Sequence, residues 1–374
     1  MINFWSYKKE YQKNRNKFLR KIDQTLSKGV VFFGDELNKF EKKFKSTYKS
    51  KYGSAVGSGT DALLIALKSI NIKSGDEVIT ASNTAIPTIS AIINSGATPK
   101  LVDIRDDYLI DCSKIEKTIT KKTKAIIPVH LYGQSCDMTT IIKIAKKHNL
   151  RIIEDCAQAQ GAKFKNKFVG TIGDLGCFSF YPTKILGAYG DGGFILSKSK
   201  QLHEKIKRLR FYGIETVNKK NKFYNKYYAN ENGLNSRIDE IQCSILNFKL
   251  NYINQFIDKR IFLANEYFKN LKDTSLVLPY KNLNNKHVYH LFTVYHPQRD
   301  KIIKLLNKKK IKTRIIYPYT IQKMKAYKNL FLRKDFDNSE IKSKGIFCLP
   351  LYPEMKRAEV IKISKEIKNI LISL

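Results

Sequence analysis

The stretch FSFYPTKILGAYGDGG, Phe178 to Gly193, sets one lysine, Lys184, on a turn rich in glycine and small residues. The apolar run from Leu175 to Phe180 reads as a short buried strand, Pro182 and Gly187 end it, and the run from Gly193 to Leu196 begins another. Lys184 therefore sits in a loop between strands. Hemmed by aromatic and apolar groups, its amine is expected to be desolvated, which lowers its pKa and frees the neutral form to act as a nucleophile. Taken alone, a loop lysine is as readily a solvated, inert side chain.

Upstream, RIIEDCAQAQGA (151–162) ends an apolar strand on Asp155, 29 residues before Lys184. Ligands of open α/β sheets lie outside the carboxyl ends of the strands, where this carboxylate stands. A lysine able to form a Schiff base together with an acid able to hold a protonated ring nitrogen is the pair that pyridoxal phosphate requires. Without Lys184, Asp155 reads simply as the cap of the following helix. A phosphate site is also expected, and AVGSGTDALLIALKSI (55–70) offers one: Ser58, Gly59 and Thr60 precede a helix whose Leu63, Leu64, Leu67 and Ile70 share a face. Glycine lets backbone amides approach an anion, and the helix start adds unpaired N–H groups. The G-x-G-x-x-G and G-x-x-x-x-G-K-[ST] patterns are absent from this stretch, and by itself GSGT is more often a plain helix cap than a ligand site.

In order along the chain come FWSY at Phe4, GSGTDAL at Gly57, DEVIT at Asp76, NSGATPKLVDI at Asn94, PVHLYGQ at Pro128, EDCAQAQGA and FSFYPTK. LNSRIDEIQ at Leu234, HVYHLF at His287 and LPLYPEM at Leu349 follow. This ordered set resembles the DegT/StrS group of pyridoxal phosphate-dependent sugar aminotransferases, of fold type I. YPTKILGAYGDGG is similar to the branch that aminates C3 of a nucleotide-linked keto sugar; the C4 branch usually carries an EGG-like element there.

The resemblance implies an α/β chain with a large cofactor domain at 1–245, a mostly parallel sheet covered by helices and preceded by an N-terminal helical arm. A smaller C-terminal α+β domain is implied at 246–374. It makes Lys184 the anchor of pyridoxal 5'-phosphate and the base that shuttles the proton, with pyridoxamine 5'-phosphate as the form between half-reactions. Asp155 would pair with the ring nitrogen, Ala157 lie against one ring face and Gln158 bond the phenolic oxygen. Ser179 with the Gly59 and Thr60 backbone would hold the phosphate. Asn235 matches a residue that reaches the phosphate of the neighbouring subunit, which implies a homodimer with shared sites. The implied substrates are L-glutamate and a dTDP-linked 3-keto-6-deoxyhexose, giving a dTDP-3-amino-3,6-dideoxyhexose, galacto or gluco, for surface glycans such as lipopolysaccharide O-antigen. Tyr181, Tyr227 and Tyr317 are the candidate sugar contacts, each equally a packing residue with a polar tip.

Two stretches depart from the pattern. Relatives often place an aromatic after the threonine of ASNTAIPT (81–88), where this chain has Ala85. Where relatives read close to HYPVPIHLQPAY, it has IYPYTIQKMKAY (316–327), with Ile316 and Gln322 in place of histidines. Alternatives therefore stay open: another nucleotide keto sugar aminated at C4, a cyclitol, or a non-catalytic basic regulatory or nucleic-acid-binding protein on the same fold.

Composition bounds these readings. A chain of 374 residues, 43% hydrophobic, buries a large core in one or two domains. Its net charge of +36 raises nucleic acid as a partner, yet the lysines are scattered beside asparagine and isoleucine rather than gathered in a stripe. Neither nucleic acid nor membrane is expected as a partner; the run NKKNKFYNKYY at Asn218 is the basic segment most open to the first. Six cysteines without a C-x-x-C pair, no run of about 18 apolar residues and an N-terminus without a signal-like apolar core read as a soluble, cytoplasmic, reduced chain. No H-E-x-x-H spacing marks a metal site, and His130 is as readily structural as functional. Past a long helix beginning near Ile238, HLFTVYH (290–296) and IKTRIIY (311–317) are the strand candidates of the C-terminal part.

Overall fold

Five-residue apolar runs separated by helical periods form the frame of the chain. The computed structural model describes residues 1–214, 228–281, 284–331 and 336–374. Two helices open it, α1 (Tyr7–Leu26) and α2 (Asp35–Thr47), followed by β1 (Tyr52–Val56), α3 (Gly59–Ser69), β2 (Glu77–Ala81), α4 (Ile86–Asn94) and β3 (Thr98–Val102). Next come α5 (Cys112–Ile115), β4 (Thr123–Ile126), α6 (Met138–Lys147), β5 (Arg151–Asp155) and a small hairpin, β6 (Lys163–Phe164) with β7 (Lys167–Phe168). The central part closes with β8 (Leu175–Ser179), β9 (Gly193–Ser197) and α7 (Lys200–Leu209).

Seven of these strands form one sheet in the order β1-β9-β8-β5-β4-β2-β3. Neighbours from β3 to β8 pair in parallel, and β9 alone runs against both β8 and β1. The strands β8 and β9 are buried at every position, as expected for a sheet covered on both faces. Register then places the site: Gly193 stands opposite both Val56 and Ser179, and Cys177, two residues before Ser179, stands opposite Asp155. The turn after β1, the end of β8 and the end of β5 thus meet at one edge of the sheet.

Beneath the Lys184 loop lies an aromatic cluster. Phe40, Phe44 and Tyr48 of α2 and its C-cap pack edge-on or tilted against Phe178, Phe180 and Phe194, with ring centroids 4.6–5.9 Å apart. Burying each such ring contributes about 1.5–3 kcal/mol before the entropic cost of ordering it. α2 is held in place from a distance: Glu240 accepts from the amides of Gly34, Glu36 and Leu37 at its N-terminus.

The C-terminal part contains α8 (Glu240–Leu250), α9 (Ile253–Leu271), β10 (Asn285–Lys286), β11 (Phe292–Tyr295) and α10 (Arg299–Lys308), then α11 (Asp337–Gly345), β12 (Ile346–Leu349) and α12 (Arg357–Ile372). β11 and β12 pair antiparallel, and Leu263, Tyr267, Phe292, Phe347 and Ile363 form a separate core between them and the helices. β10 reaches back to pair with β6. The helix expected near Ile238 begins at Glu240, where the Asp239 side chain accepts from the Gln242 amide, and it runs unbroken through residues 245 and 246. One expectation fails: IKTRIIY is no strand. Ile311 and Arg314 make only isolated bridges, to Ile2 and Cys348, because the chain leaves β12 at once to approach the site. Among the described residues no helix is long and apolar enough to cross a membrane. All six cysteines are buried and free.

Candidate functional site

The Lys184 loop is a closed, hydrogen-bonded turn. Phe180 N–H donates to the Gly192 carbonyl, Lys184 N–H to that of Tyr181 and Ala188 N–H to that of Phe180, at 2.7, 2.9 and 2.8 Å. Gly187 is obligatory, since a Cβ there would stand 2.3 Å from the Pro182 carbonyl oxygen. Gln160 locks the loop to the sheet: its Nε2 donates to the carbonyls of Ser179 and Leu186, and its Oε1 accepts from Leu186 N–H. Burial pushes the Lys184 amine down from 10.5 to about 8, against the pull of nearby Asp155.

Asp155 is 4% exposed. Its Oδ1 accepts from Ala157 N–H at 3.1 Å and its Oδ2 from Thr88 Oγ1 at 2.8 Å. Burial raises the pKa of this carboxyl, while the Ala157 amide, the Thr88 hydroxyl, Lys184 and His130 oppose the rise. A buried carboxylate beside a lysine of depressed pKa marks a functional site when both face one cleft.

Between β1 and α3, Ser58 caps the helix by accepting from Asp61 N–H at 3.0 Å. Gly59 and Thr60 are its first residues, so their amides have no partner within it. The floor here is bare backbone: a Cβ on Gly59 would stand 2.6 Å from Ser179 Cβ, and one on Gly193 2.2 Å from the Ser58 carbonyl oxygen. This cradle suits a phosphate, with Ser179 at its rim. Behind it, Gly57 N–H donates to Ser236 Oγ, which donates to Asp61 Oδ2. The segment carrying Asn235 therefore runs beside the cradle of its own chain.

Gln158 spans the other side. Its Oε1 accepts from Tyr132 N–H and its Nε2 donates to Tyr317 Oη at 3.0 Å. Tyr132 Oη in turn donates to the Ile316 carbonyl, which holds the 316–317 segment over the site. Tyr181 is exposed on the loop, and Ala85 caps α4 without a side-chain bond. Tyr227 and most of the Asn218 run lie outside the described residues. Lys184, Asp155, Ala157, Gln158, Ser179, Gly59, Thr60 and Tyr317 are thus brought together from four separate elements.

Sequence reading passed over two residues here. Gln160 lies two positions after Gln158 in AQAQ, a repeat whose second amide proves to orient the lysine loop. Thr88 closes ASNTAIPT, and only the fold shows it against Asp155. His130, Glu154 and Cys156 form the one compact group of metal-ligating types among the described residues. Glu154 already accepts from His130 Nε2 and from the amides of Gly170, Ile172 and Gly173, and His130 Nδ1 accepts from Cys136 N–H. The group ties the strap after β7 to the sheet.

The model of the DegT/DnrJ/EryC1/StrS aminotransferase family matches residues 12–368. The chain belongs to that family. It is a pyridoxal phosphate-dependent sugar aminotransferase of the α/β class, and the bare cradle, buried acid and desolvated lysine fit that cofactor. Within the family it is 41% identical to the dTDP-3-amino-3,6-dideoxy-alpha-D-galactopyranose transaminase of Aneurinibacillus thermoaerophilus, over 99% of both chains. It is 37% identical to the dTDP-3-amino-3,4,6-trideoxy-alpha-D-glucose transaminase of Micromonospora megalomicea subsp. nigra, again over 99% of both. The crystal structure of S. venezuelae DesV with a ketimine intermediate superposes with a TM-score of 0.93 at 32% identity, covering 98% of each chain.

Proposed function

We propose that this chain transfers the amino group of L-glutamate to C3 of a dTDP-linked 3-keto-6-deoxyhexose, yielding a dTDP-3-amino-3,6-dideoxyhexose in the cytoplasm for surface glycan synthesis. The observation that carries this reading is the facing pair of a depressed-pKa lysine and a buried aspartate at the sheet edge. The two dTDP-3-amino sugar relatives support the choice of C3. The division into a large part, 1–245, and a smaller C-terminal part, 246–374, belongs to the same reading, with α8 (Glu240–Leu250) crossing the boundary as the link between them.

Pyridoxal phosphate, when bound, supplies a ring that withdraws electrons from the carbon whose proton is moved. In this reading Lys184 Nζ would hold the cofactor and, once free, would serve as the base that moves the donor's proton. The depressed pKa keeps that amine neutral and ready as a base near pH 8. Asp155 would pair with the ring nitrogen, and Ala157 would lie under one face. The Gly59 and Thr60 amides and the Ser179 hydroxyl would hold the phosphate. Gln158 would bond the phenolic oxygen and, with Tyr317, face the sugar, for which Tyr181 and Tyr227 would be the further contacts. Asn235 serves the site of a second copy.

An exposed apolar run supports the homodimer. Val30, Val31, Phe32 and Phe33 are 46, 49, 39 and 38% exposed in the single chain. They adjoin the Asn235 segment, since the Arg237 guanidinium lies 4.5 Å over the Phe32 ring and Glu240 N–H donates to the Val31 carbonyl. Four consecutive apolar residues beside a cofactor cradle are a surface for a partner copy.

Mass spectrometry of products from L-glutamate and the two C4 epimers of dTDP-3-keto-6-deoxyhexose tests the reading. An amino product that depends on Lys184 is expected; amination only of a UDP sugar, a 4-keto sugar or a cyclitol would replace the proposed substrate.

A further inference from the structure

Asp155 does not stand alone at the end of β5. Thr88, the third residue of α4, is 0% exposed and donates its hydroxyl to Asp155 Oδ2 at 2.8 Å. An ionised carboxylate only accepts, so the single Thr88 proton is committed to it. Thr84 Oγ1, in a side chain 1% exposed, lies 3.3 Å from Thr88 Oγ1 and is left as donor to it. The result is a dry chain of two hydroxyls ending on the carboxylate, at the positive end of a helix. Hydrogen bonds in such a chain polarise and strengthen one another where water is excluded.

We infer that Thr88, backed by Thr84, is a positioning residue that fixes the rotamer of Asp155 and keeps it ionised, leaving its free lone pairs aimed at the cofactor's ring nitrogen. The inference rests on the cofactor placement proposed above. Burial favours the neutral acid, and four groups oppose it: the Ala157 amide and the Thr88 hydroxyl by hydrogen bonds, Lys184 and His130 electrostatically. Of the two hydrogen bonds, only that from Thr88 is made by a side chain. Besides Lys184, the titratable groups facing the carboxylate are His130 beyond β4, Tyr317 from the segment over the site, and the thiols of Cys156 and Cys177. Thr88→Val alters none of them. It removes a bond to the charged form and keeps the side chain's shape.

A hydrogen bond to a charged group is worth about tenfold in an equilibrium or more. Thr88→Val holoenzyme is therefore expected to lose about tenfold in kcat with KM for glutamate nearly unchanged. Because the ionised acid is the form made scarcer, the acid limb of its rate profile moves up by about one pH unit. The pH titration of the bound cofactor's visible band shifts in the same direction, and cofactor is lost faster on dialysis. Thr88→Ser, which keeps the hydroxyl, restores all four. Thr84→Val, farther from the carboxylate, shows a smaller shift of the same sign and supplies the test if Thr88→Val does not fold. Wild-type pH profiles and spectra in Thr88→Val and Thr84→Val, with Asp155→Ala inactive, would overturn the positioning role alone. Normal turnover in Asp155→Ala would overturn the cofactor placement and this inference with it.

Discussion

Lys184 and Asp155 each carry a charge that burial disfavours: Asp155 opposes that cost for the lysine, while the Ala157 amide and the Thr88 hydroxyl, ahead of Lys184, oppose it for the carboxylate. The balance leaves the lysine well below its solution pKa. Reactivity then has a sign. Below about pH 8 the amine is protonated and unreactive, and above it the neutral form predominates. The rate at which cofactor-free protein captures pyridoxal phosphate, followed by absorbance, should therefore rise through a midpoint near 8 and level off. A midpoint near the ordinary 10.5 would mean that the amine is solvated. Gln160 works at the same scale without chemistry of its own: three hydrogen bonds from one amide set where the lysine loop lies.

The turn from β1 into α3 works because nothing projects from it. A methyl on Gly59 would meet the Ser179 side chain and push the two halves of the cradle apart. Gly59→Ala should weaken cofactor retention by about tenfold or more while leaving the fold intact, as equilibrium dialysis and circular dichroism would show. Elsewhere an element is held by charge. The α1 helix docks through Glu10, whose carboxylate pairs with the buried Lys249 ammonium at 2.6 Å and accepts from Tyr189 Oη at 3.1 Å. The Lys249 side chain is only 4% exposed. Glu10→Ala leaves that cation buried and unpaired, so unfolding by denaturant should show a loss of about 3–5 kcal/mol. Because Tyr189 belongs to the Lys184 loop, the same variant should loosen the site as well as the arm.

For the proposed homodimer the surface to test is the Val30–Phe33 run next to the Asn235 segment. Phe32→Glu places a charge in that apolar face. Sedimentation should show a shift to monomer, with cofactor retention and activity falling together; a variant that remains a fully active dimer would place the interface elsewhere. The basic residues behind the net charge of +36 are scattered along the sequence rather than gathered in one run, a pattern that favours anions generally and selects none of them.

Much of this was legible in the letters. Strands buried on both faces read as continuous apolar runs, so β8, β9 and the end of β5 at Asp155 are legible to within a residue. The pairing of Lys184 with Asp155, and the glycines of the cradle, followed from the chemistry of a Schiff base, a ring nitrogen and a phosphate. What stayed hidden depended on packing between segments distant in sequence. Thr88 and Asp155 are 67 residues apart and meet at a hydrogen bond that no local period announces. The segment 311–317 had the β-branched content of a strand, but Tyr132 and Gln158 draw its end over the site and leave it without a continuous ladder. Sequence by itself determined which side chains could do the chemistry, because that depends on their functional groups. Only the tertiary structure decided their charge states and neighbours, because burial and hydrogen-bond geometry are set by the sheet register that brings four elements to one edge.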